Sequence, residues 1–179
     1  MLLINGRLLA AGAVLLASNI ALAQGYGGLG YSSAGADVDG VDFDLGVLYG
    51  RIGSQVDENI SAEFRVGVGT SDDTIRGSGG EATLQLDKFF GAYFRGSLPL
   101  NDVVKPYVIL GFTNIDVEVS YDTFLGSGSE SDSDTDVSYG VGIDFQLDNQ
   151  LIMNVEYMKI YDDEEWDVSG LALGVAFRF

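Results

Sequence analysis

Apolar and polar side chains alternate with a period of two along most of the chain, and this alternation is typical of β-strands. The clearest stretch runs from Val137 to Leu147, where alternate positions are apolar or aromatic and the positions between them hold Ser, Gly, Asp or Gln. Counted over the whole chain, the pattern predicts an all-β protein with eight strands, at 25–33, 41–52, 59–70, 82–97, 105–121, 137–147, 151–161 and 167–179. Short connections alternate with longer polar ones at 34–40, 71–81, 122–136 and 162–165.

Eight antiparallel strands allow two architectures. A soluble sandwich or lipocalin-like barrel turns its apolar face inward, whereas a transmembrane barrel turns that face toward lipid and its polar face inward. The apolar positions of the predicted strands hold no acidic residue. The opposite positions carry the charged residues Asp42, Asp44, Glu63, Asp87, Asp116, Glu118, Asp144, Glu156, Arg65, Arg95 and Arg178. Either architecture accommodates this arrangement.

Glycine and aromatic positions favour the transmembrane barrel. The polar positions are rich in glycine, which weakens a water-facing strand but fits between larger residues inside a narrow barrel. Aromatic residues lie near predicted strand ends, as they do at a membrane interface; they are Tyr31, Phe43, Tyr49, Tyr107, Tyr121, Tyr139, Tyr157 and Tyr161. Tilted strands of this length suit a hydrocarbon core of about 30 Å. The sequence therefore predicts an eight-stranded antiparallel up-and-down transmembrane β-barrel.

Residues 1–23 have the pattern of a cleaved secretory signal peptide. Arg7 supplies the positive start, 8–20 form an apolar segment, and Ala-Leu-Ala at 21–23 resembles a cleavage site. The alternative is an N-terminal transmembrane anchor, but the apolar run is short for a span of about 20 residues. Gln24 stands where a lipid-anchored protein would have Cys. We expect residues 24–179 to form the barrel domain of an exported protein.

Composition excludes several functions. The formal net charge is −18, which argues against binding nucleic acid, because phosphate contacts need clustered Lys and Arg. The chain has no Cys and no His, so disulfides, thiolate metal sites and a Ser-His-Asp triad are not available. We expect no enzymatic activity and no cofactor. Asp42 and Asp44 are a carboxylate pair on one strand, but little beyond their adjacency supports a catalytic role.

Three segments resemble the small outer-membrane β-barrel family of Gram-negative bacteria. The pattern is similar to that of the transmembrane domain of outer-membrane protein A. The three segments are Glu58 to Gly69, Phe90 to Arg95 and the closing Gly174 to Phe179. The resemblance covers residues 24–179 and implies a porin-like barrel in the cell outer membrane with both termini periplasmic. In this family a terminal Phe is the expected signal for the barrel-assembly machinery, and Phe179 occupies that place.

The resemblance also implies partners. These are outer-membrane lipid and lipopolysaccharide, the barrel-assembly machinery and periplasmic chaperones, and the protein is expected to be monomeric. No peptidoglycan-binding domain follows Phe179 in this sequence, so the resemblance does not imply a cell-wall anchoring role.

Charges that face inward in a narrow barrel should pair, because an unpartnered buried charge is costly. The predicted lumen charge network comprises Asp42, Asp44, Glu63, Arg65, Arg95, Asp144 and Glu156. One interpretation is structural: the network fills the lumen and fixes strand register. The other is a gated ion path that opens when a pair breaks. A wide diffusion pore is not expected, since eight strands leave room only for side chains.

Lys88 and the acidic segment 126–136 carry two further hypotheses. Lys88 falls on a lipid-facing position, so either a β-bulge between Leu86 and Phe90 turns it inward or it snorkels to the interface. Asp132, Asp134 and Asp136 are spaced like the first ligands of a calcium-binding EF-hand, although Val137 and Ile143 replace the expected Gly and Glu. A solvated loop without metal is the alternative.

The leading functional interpretation is a non-enzymatic outer-membrane barrel that contributes to envelope structure or surface contacts. The alternatives are an adhesin that binds through acidic extracellular loops and a narrow or gated pore for small solutes. Acidic loops would favour basic partners over polyanions.

Overall fold

A computed structural model describes residues 25–38, 41–77, 80–123, 126–162 and 166–179. Within these ranges the side chains at 36–38, 41–44, 72–77, 80–82, 84–85, 118–123, 126–127, 129–132, 161–162 and 166–167 are excluded from the description. The predicted signal peptide at 1–23 lies outside the described residues. Among the described residues, no helix is long and apolar enough to cross a membrane.

The described elements are nine antiparallel strands. They are β1 (Gly25–Val38), β2 (Val41–Asp57), β3 (Ile60–Gly69), β4 (Asp72–Gly77), β5 (Gly80–Ser97), β6 (Val104–Thr123), β7 (Gly126–Gln146), β8 (Leu151–Asp162) and β9 (Trp166–Arg178). Each strand pairs with its neighbour in sequence, except that β3 and β4 both pair with β5. Pairing of β1 with β9 closes the ring.

The nine strands occupy eight positions in the barrel, as the alternation predicts. Strands β3 and β4 are successive parts of one wall element, interrupted at Thr70 and Ser71. At this break the Thr70 backbone N–H donates to the Gly46 carbonyl, and the Gly46 N–H donates to Ser71 Oγ, both at 2.7 Å. The predicted fold class, an eight-stranded antiparallel barrel, is confirmed.

The strands are longer than the alternation predicts. Residues 34–38, 72–77 and 126–136, predicted as loops, are strand. Beyond a membrane both faces of a hairpin contact water, so polar residues occupy both faces and the period-two signal disappears although the strand continues. We call this the hairpin end of the barrel. The opposite end, the turn end, holds Gly25, Phe179 and the turns at 58–59, 98–103 and 147–150.

Large apolar side chains cover the outer face between the two ends. They include Leu29, Leu48, Ile52, Val66, Phe90, Phe94, Val108, Leu110, Phe112, Val141, Met153, Leu171, Leu173 and Phe177, all exposed. Exposed Tyr31, Tyr139 and Tyr157 belong to the same face. Such a band would be a liability in water and is the surface that a bilayer covers.

The inner and outer faces of β2 and β6 are the reverse of those predicted. Tyr49 is 3% exposed and faces the interior, while its neighbour Leu48 is 46% exposed. In β6, Tyr107 is likewise buried and Phe112 is 54% exposed. The prediction failed because the inward-facing residues of these strands are themselves apolar, so hydrophobicity does not distinguish the inner face from the outer face. Asp116 therefore lies on the same face as Phe112, alternates with the inner residues Thr113 and Ile115, and was wrongly placed in the lumen.

A β-bulge in β5 changes which residues face inward. The register with β6 shifts between Leu86 and Lys88, with Asp87 as the extra residue. The bulge turns Leu86 inward, where it is buried, and leaves Asp87 and Lys88 exposed. The bulge is where it was predicted, but Lys88 does not turn inward, and Asp87 does not line the lumen. Lys88 pairs in register with Asp116 at the hairpin-end border of the apolar band.

The interior is filled by two layers. The layer nearer the hairpin end is apolar and consists of Ala34, Leu45, Val47, Leu86, Ile115 and Val168, with Phe89, Val117 and Ile160 packed against it. The layer nearer the turn end contains the buried charges.

Candidate functional site: the interior charge network

Glu63 is at the centre of the charged layer. It lies on β3 with 0% exposure. Arg65 Nε donates to Glu63 Oε1 at 2.7 Å, and Arg95 Nη1 donates to Oε2 at 3.2 Å. The Tyr26 hydroxyl donates to the same Oε2 at 2.5 Å. Both carboxylate oxygens therefore have partners, which offsets the cost of burying the charge.

Arg65 also binds the second buried carboxylate, Glu156 on β8. Its Nη1 and Nη2 donate to Glu156 Oε1 and Oε2 at 2.5 and 2.8 Å, a bidentate arrangement. The Tyr107 hydroxyl donates to Oε2 at 2.8 Å. The Arg65 guanidinium lies 5.2 Å and 5.1 Å from the ring centres of Tyr49 and Tyr93, within cation–π distance.

Arg95 links Glu63 to the third carboxylate, Asp144 on β7. Its Nη2 donates to Asp144 Oδ1 and Oδ2 at 3.0 and 2.9 Å. The guanidinium lies 3.8 Å from the centre of the Tyr107 ring. These contacts connect strands β3, β5 and β7 through one side chain.

Arg51 is a member of the network that the sequence analysis missed. It has the same parity as Leu45, Val47 and Tyr49, the apolar positions that were predicted to face lipid, but it is buried in the interior with 5% exposure. Its Nη2 donates to Asn154 Oδ1 at 2.7 Å, and its Nη1 lies 3.8 Å from Glu63 Oε2. An arginine among the apolar positions of β2 was the available signal, because a lipid-facing cation is costly.

The sequence analysis also missed the interior tyrosines, each of which covers a glycine. Three pairs lie directly opposite each other on neighbouring strands: Tyr26 with Gly53, Tyr49 with Gly30, and Tyr107 with Gly142. In each pair a Cβ on the glycine would lie 2.3–2.4 Å from the tyrosine ring. The interior glycines therefore provide the space that the rings occupy.

The structure brings five of the seven predicted network residues together: Glu63, Arg65, Arg95, Asp144 and Glu156. The side chains of Asp42 and Asp44 lie outside the description. Their predicted place in the lumen therefore stays a prediction.

The calcium candidate does not lie in a loop. Asp134 and Asp136 are in the extended strand β7, and the side chain of Asp132 lies outside the description. Asp134 Oδ1 accepts the Thr135 N–H and Asp136 Oδ1 accepts the Val137 N–H, both at 2.7 Å. Within the described part of the chain no group of three or more acidic residues is placed to hold a metal ion. An EF-hand needs a loop that wraps around the ion, and an extended strand does not supply one.

The network joins the walls of the barrel and fills its interior. Three guanidinium groups, of Arg51, Arg65 and Arg95, face the carboxylates of Glu63, Asp144 and Glu156, so the formal charges balance. The space between the charged and apolar layers is a cavity of about 30 Å³, and a second cavity of about 70 Å³ lies toward the turn end. Each holds no more than a few water molecules.

An apolar outer band around a closed antiparallel barrel, with a paired polar network inside, defines a small integral outer-membrane barrel protein. The chain belongs to the family described as outer membrane protein beta-barrel domain, whose model matches residues 8–179. Outer-membrane localisation follows from this membership. No curated protein sequence is a significant match to the chain.

Several solved outer-membrane barrels share the fold. The attachment invasion locus protein Ail of Yersinia pestis has a TM-score of 0.64 at 17% identity, covering 88% of this chain and 99% of its own. Neisserial surface protein A has a TM-score of 0.60 at 15% identity, with 87% and 97% covered. The N-terminal barrel of Pseudomonas aeruginosa OprF has a TM-score of 0.53 at 14% identity, with 85% and 97% covered. At these identities the likeness shows the fold alone.

Proposed function

We propose that this protein is a non-enzymatic, monomeric envelope protein, whose sealed barrel anchors acidic hairpins at the cell surface. The observation that carries the proposal is the filled interior: among the described residues a balanced charge network and an apolar layer occupy it, beside cavities of about 70 and 30 Å³. A barrel filled in this way supplies rigidity and a membrane anchor. Its distinctive chemistry is then at the hairpin end.

The proposed orientation places the turn end in the periplasm. Outer-membrane barrels have short periplasmic turns and longer extracellular loops, and the turns at 58–59 and 147–150 fit the periplasmic side. Phe179 would then present the assembly signal to the barrel-assembly machinery, after chaperones have carried the chain across the periplasm. Lys88, at the hairpin-end border of the band, would lie level with lipopolysaccharide head groups and snorkel toward them.

The hairpin formed by β6 and β7 is the proposed contact surface. Residues 114–137 contain seven acidic residues and no basic one. Strand register is continuous from Val104 paired with Phe145 to Thr123 paired with Gly126, so the hairpin is an extension of the barrel wall. Only about 9–11 residues of each strand are needed to cross the membrane. The residues of β6 and β7 beyond the membrane carry carboxylates, which attract a basic partner and repel a polyanion.

This charge distinguishes the proposed surface from a polyanion site. Ail has been crystallised in complex with the heparin analogue sucrose octasulfate. An acidic hairpin would oppose binding of such a ligand, so we propose a cationic protein or peptide as the partner class.

The test uses a variant with a shortened hairpin. Residues 118–131, whose ends pair in register, are replaced by Asn-Gly, a two-residue turn suited to hairpins. Cells that display the wild-type protein should bind a fluorescent polylysine peptide. Cells that display the variant should bind it less, because three of the seven acidic residues, Glu118, Asp122 and Glu130, are removed. Heat-modifiable migration on an unboiled gel confirms that both are folded. Equal binding by the two proteins would contradict the proposal.

A narrow gated pore is the second candidate, and one observation favours it. Arg95 lines the 70 Å³ cavity at the turn end and is paired with Glu63, which does not line it, so displacement of Arg95 would extend the cavity toward Glu63. Liposome swelling with small solutes tests this function in the wild-type protein, and swelling above that of empty liposomes would favour the pore.

A further inference from the structure

The cavity at the turn end has an unusual charge for this protein. Its lining includes four cationic side chains, Arg51, Arg95, Lys105 and Arg178, and two acidic ones. The chain as a whole has 9 basic and 27 acidic residues, so nearly half of its basic residues converge on one space. The acidic residues of the lining are Asp144, whose two oxygens are both bound by Arg95, and exposed Glu58.

Two of the cations that line this cavity, Arg51 and Arg95, carry buried guanidinium N–H groups without a hydrogen-bond partner in the described part of the chain. Among the described residues, no hydrogen-bond partner is present for Nε and Nη1 of Arg51 or for Nε of Arg95. Both side chains are 5% exposed. A buried N–H left without an acceptor is destabilising, and more so when it belongs to a charged group. These N–H groups have almost no accessible surface, so an anion in the cavity reaches them when the guanidinium groups turn toward it.

The rim of the cavity adds two cations. Lys105 and Arg178 are half-buried near the turn end, and neither forms a salt bridge with another described residue. Lys105 lies directly opposite Asp144 in register, but that carboxylate is already engaged by Arg95. Rim cations of this kind raise the local concentration of anions at the entrance.

From this geometry we propose that the turn-end cavity is a binding site for a small oxyanion such as inorganic phosphate. Guanidinium groups bind the oxygens of phosphate, sulfate or carboxylate in a planar fork, and an oxyanion supplies only acceptors. The cavity of about 70 Å³ has room for about two water molecules or one such anion. The anion enters from the aqueous phase at the turn end, because the barrel wall separates the cavity from lipid.

The test is a titration of the whole folded protein, in a non-ionic detergent, with inorganic phosphate against sodium chloride of equal ionic strength. Calorimetry should show saturable binding of phosphate to the wild-type protein. Lys105→Gln and Arg178→Gln should each weaken the affinity about tenfold, the loss expected for one charge-assisted contact of about 1.4 kcal/mol. Arg51→Gln should abolish binding.

A matched control removes one positive charge elsewhere. Lys88→Gln lies on the outer face and should leave the affinity unchanged. Because Arg51 belongs to the central network, its variant could fail to fold; the two rim variants keep the test decisive, and heat-modifiable migration confirms their folding. Absence of saturable binding to the wild-type protein would overturn the proposal and leave water as the occupant. Equal weakening by Lys88→Gln would also overturn it, because the effect would then be one of net charge.

Discussion

Arg65 and Glu156 connect opposite walls of the barrel. They lie on β3 and β8, which are four positions apart in the ring of eight, and two hydrogen bonds of 2.5 and 2.8 Å join them across the interior. Because Arg65 also binds Glu63, one guanidinium holds two buried carboxylates. The pair therefore links two strands on opposite sides of the barrel directly through its interior.

Glu156→Gln should destabilise the folded barrel. Removing one partner of a buried ion pair leaves its counter-charge poorly compensated, at a cost of about 3–5 kcal/mol, and we expect the lower end because Arg65 keeps Glu63. Urea unfolding in detergent micelles, followed by tryptophan fluorescence, measures the free energy of unfolding. The exposed Glu58→Gln is the matched control and should change little. An unfolding free energy equal to that of the wild-type protein would mean that the pair contributes no stability.

Gly53→Ala should destabilise the protein by displacing a tyrosine ring. A Cβ at this position would lie 2.3 Å from Tyr26, whose hydroxyl donates to Glu63. Overpacking of this kind costs about 1–3 kcal/mol. Gly50→Ala is the control on the same strand, since its nearest neighbour would be at an ordinary 3.9 Å. The same urea titration compares the two variants, and similar midpoints would show that the ring adjusts freely.

The sequence was sufficient to predict the barrel because most outer positions are apolar and most inner ones are small or charged. In β3, Glu63 and Arg65 alternate with the outer residues Phe64, Val66 and Val68, so both faces were assigned correctly. In β2 and β6 the inner residues, such as Val47 and Ile115, are as apolar as the outer ones. Hydrophobicity cannot separate two faces that both exclude water.

The sequence analysis missed some members of the site for the same reason, namely that the inner face of β2 is apolar. With the faces of β2 reversed, Arg51 was assigned to lipid and Tyr49 to an interface girdle. The bulge between Leu86 and Lys88 lies where it was predicted, but the side chains that it turns inward depend on how β5 fits β6, a relation that no single strand encodes. The part of β7 that precedes Val137 is held by pairing with β6. It therefore needs no alternation of apolar and polar residues, and its polar sequence resembles that of a loop.

Asp148→Asn should remove a pH-dependent contribution from the 147–150 turn. The backbone N–H groups of Gln150 and Leu151 donate to Asp148 Oδ1 at 2.7 and 2.8 Å and lower the pKa of this carboxyl. Because the folded-state pKa is below the ordinary value of 3.8, the charge stabilises the fold at neutral pH, and this contribution is lost as the pH falls through that range. Asn keeps an acceptor oxygen but does not titrate.

Urea midpoints at about pH 7 and about pH 2 check this prediction. The variant should have the lower midpoint at neutral pH, and the difference should vanish in acid. A difference that is the same at both pH values would show that the charge of Asp148 has no part in it.

Arg95→Ala should not open a conducting path. The substitution removes the contacts with Glu63 and Asp144 and enlarges the turn-end cavity. However, the Arg65–Glu156 pair and the apolar layer of Leu45, Val47 and its neighbours still fill the interior toward the hairpin end. Ions would have to cross that apolar layer, which is costly without partners or water. Planar-bilayer recording should therefore show the same low conductance for the variant and the wild-type protein. Discrete channel openings in Arg95→Ala alone would instead support the gated pore and identify Arg95 as its gate.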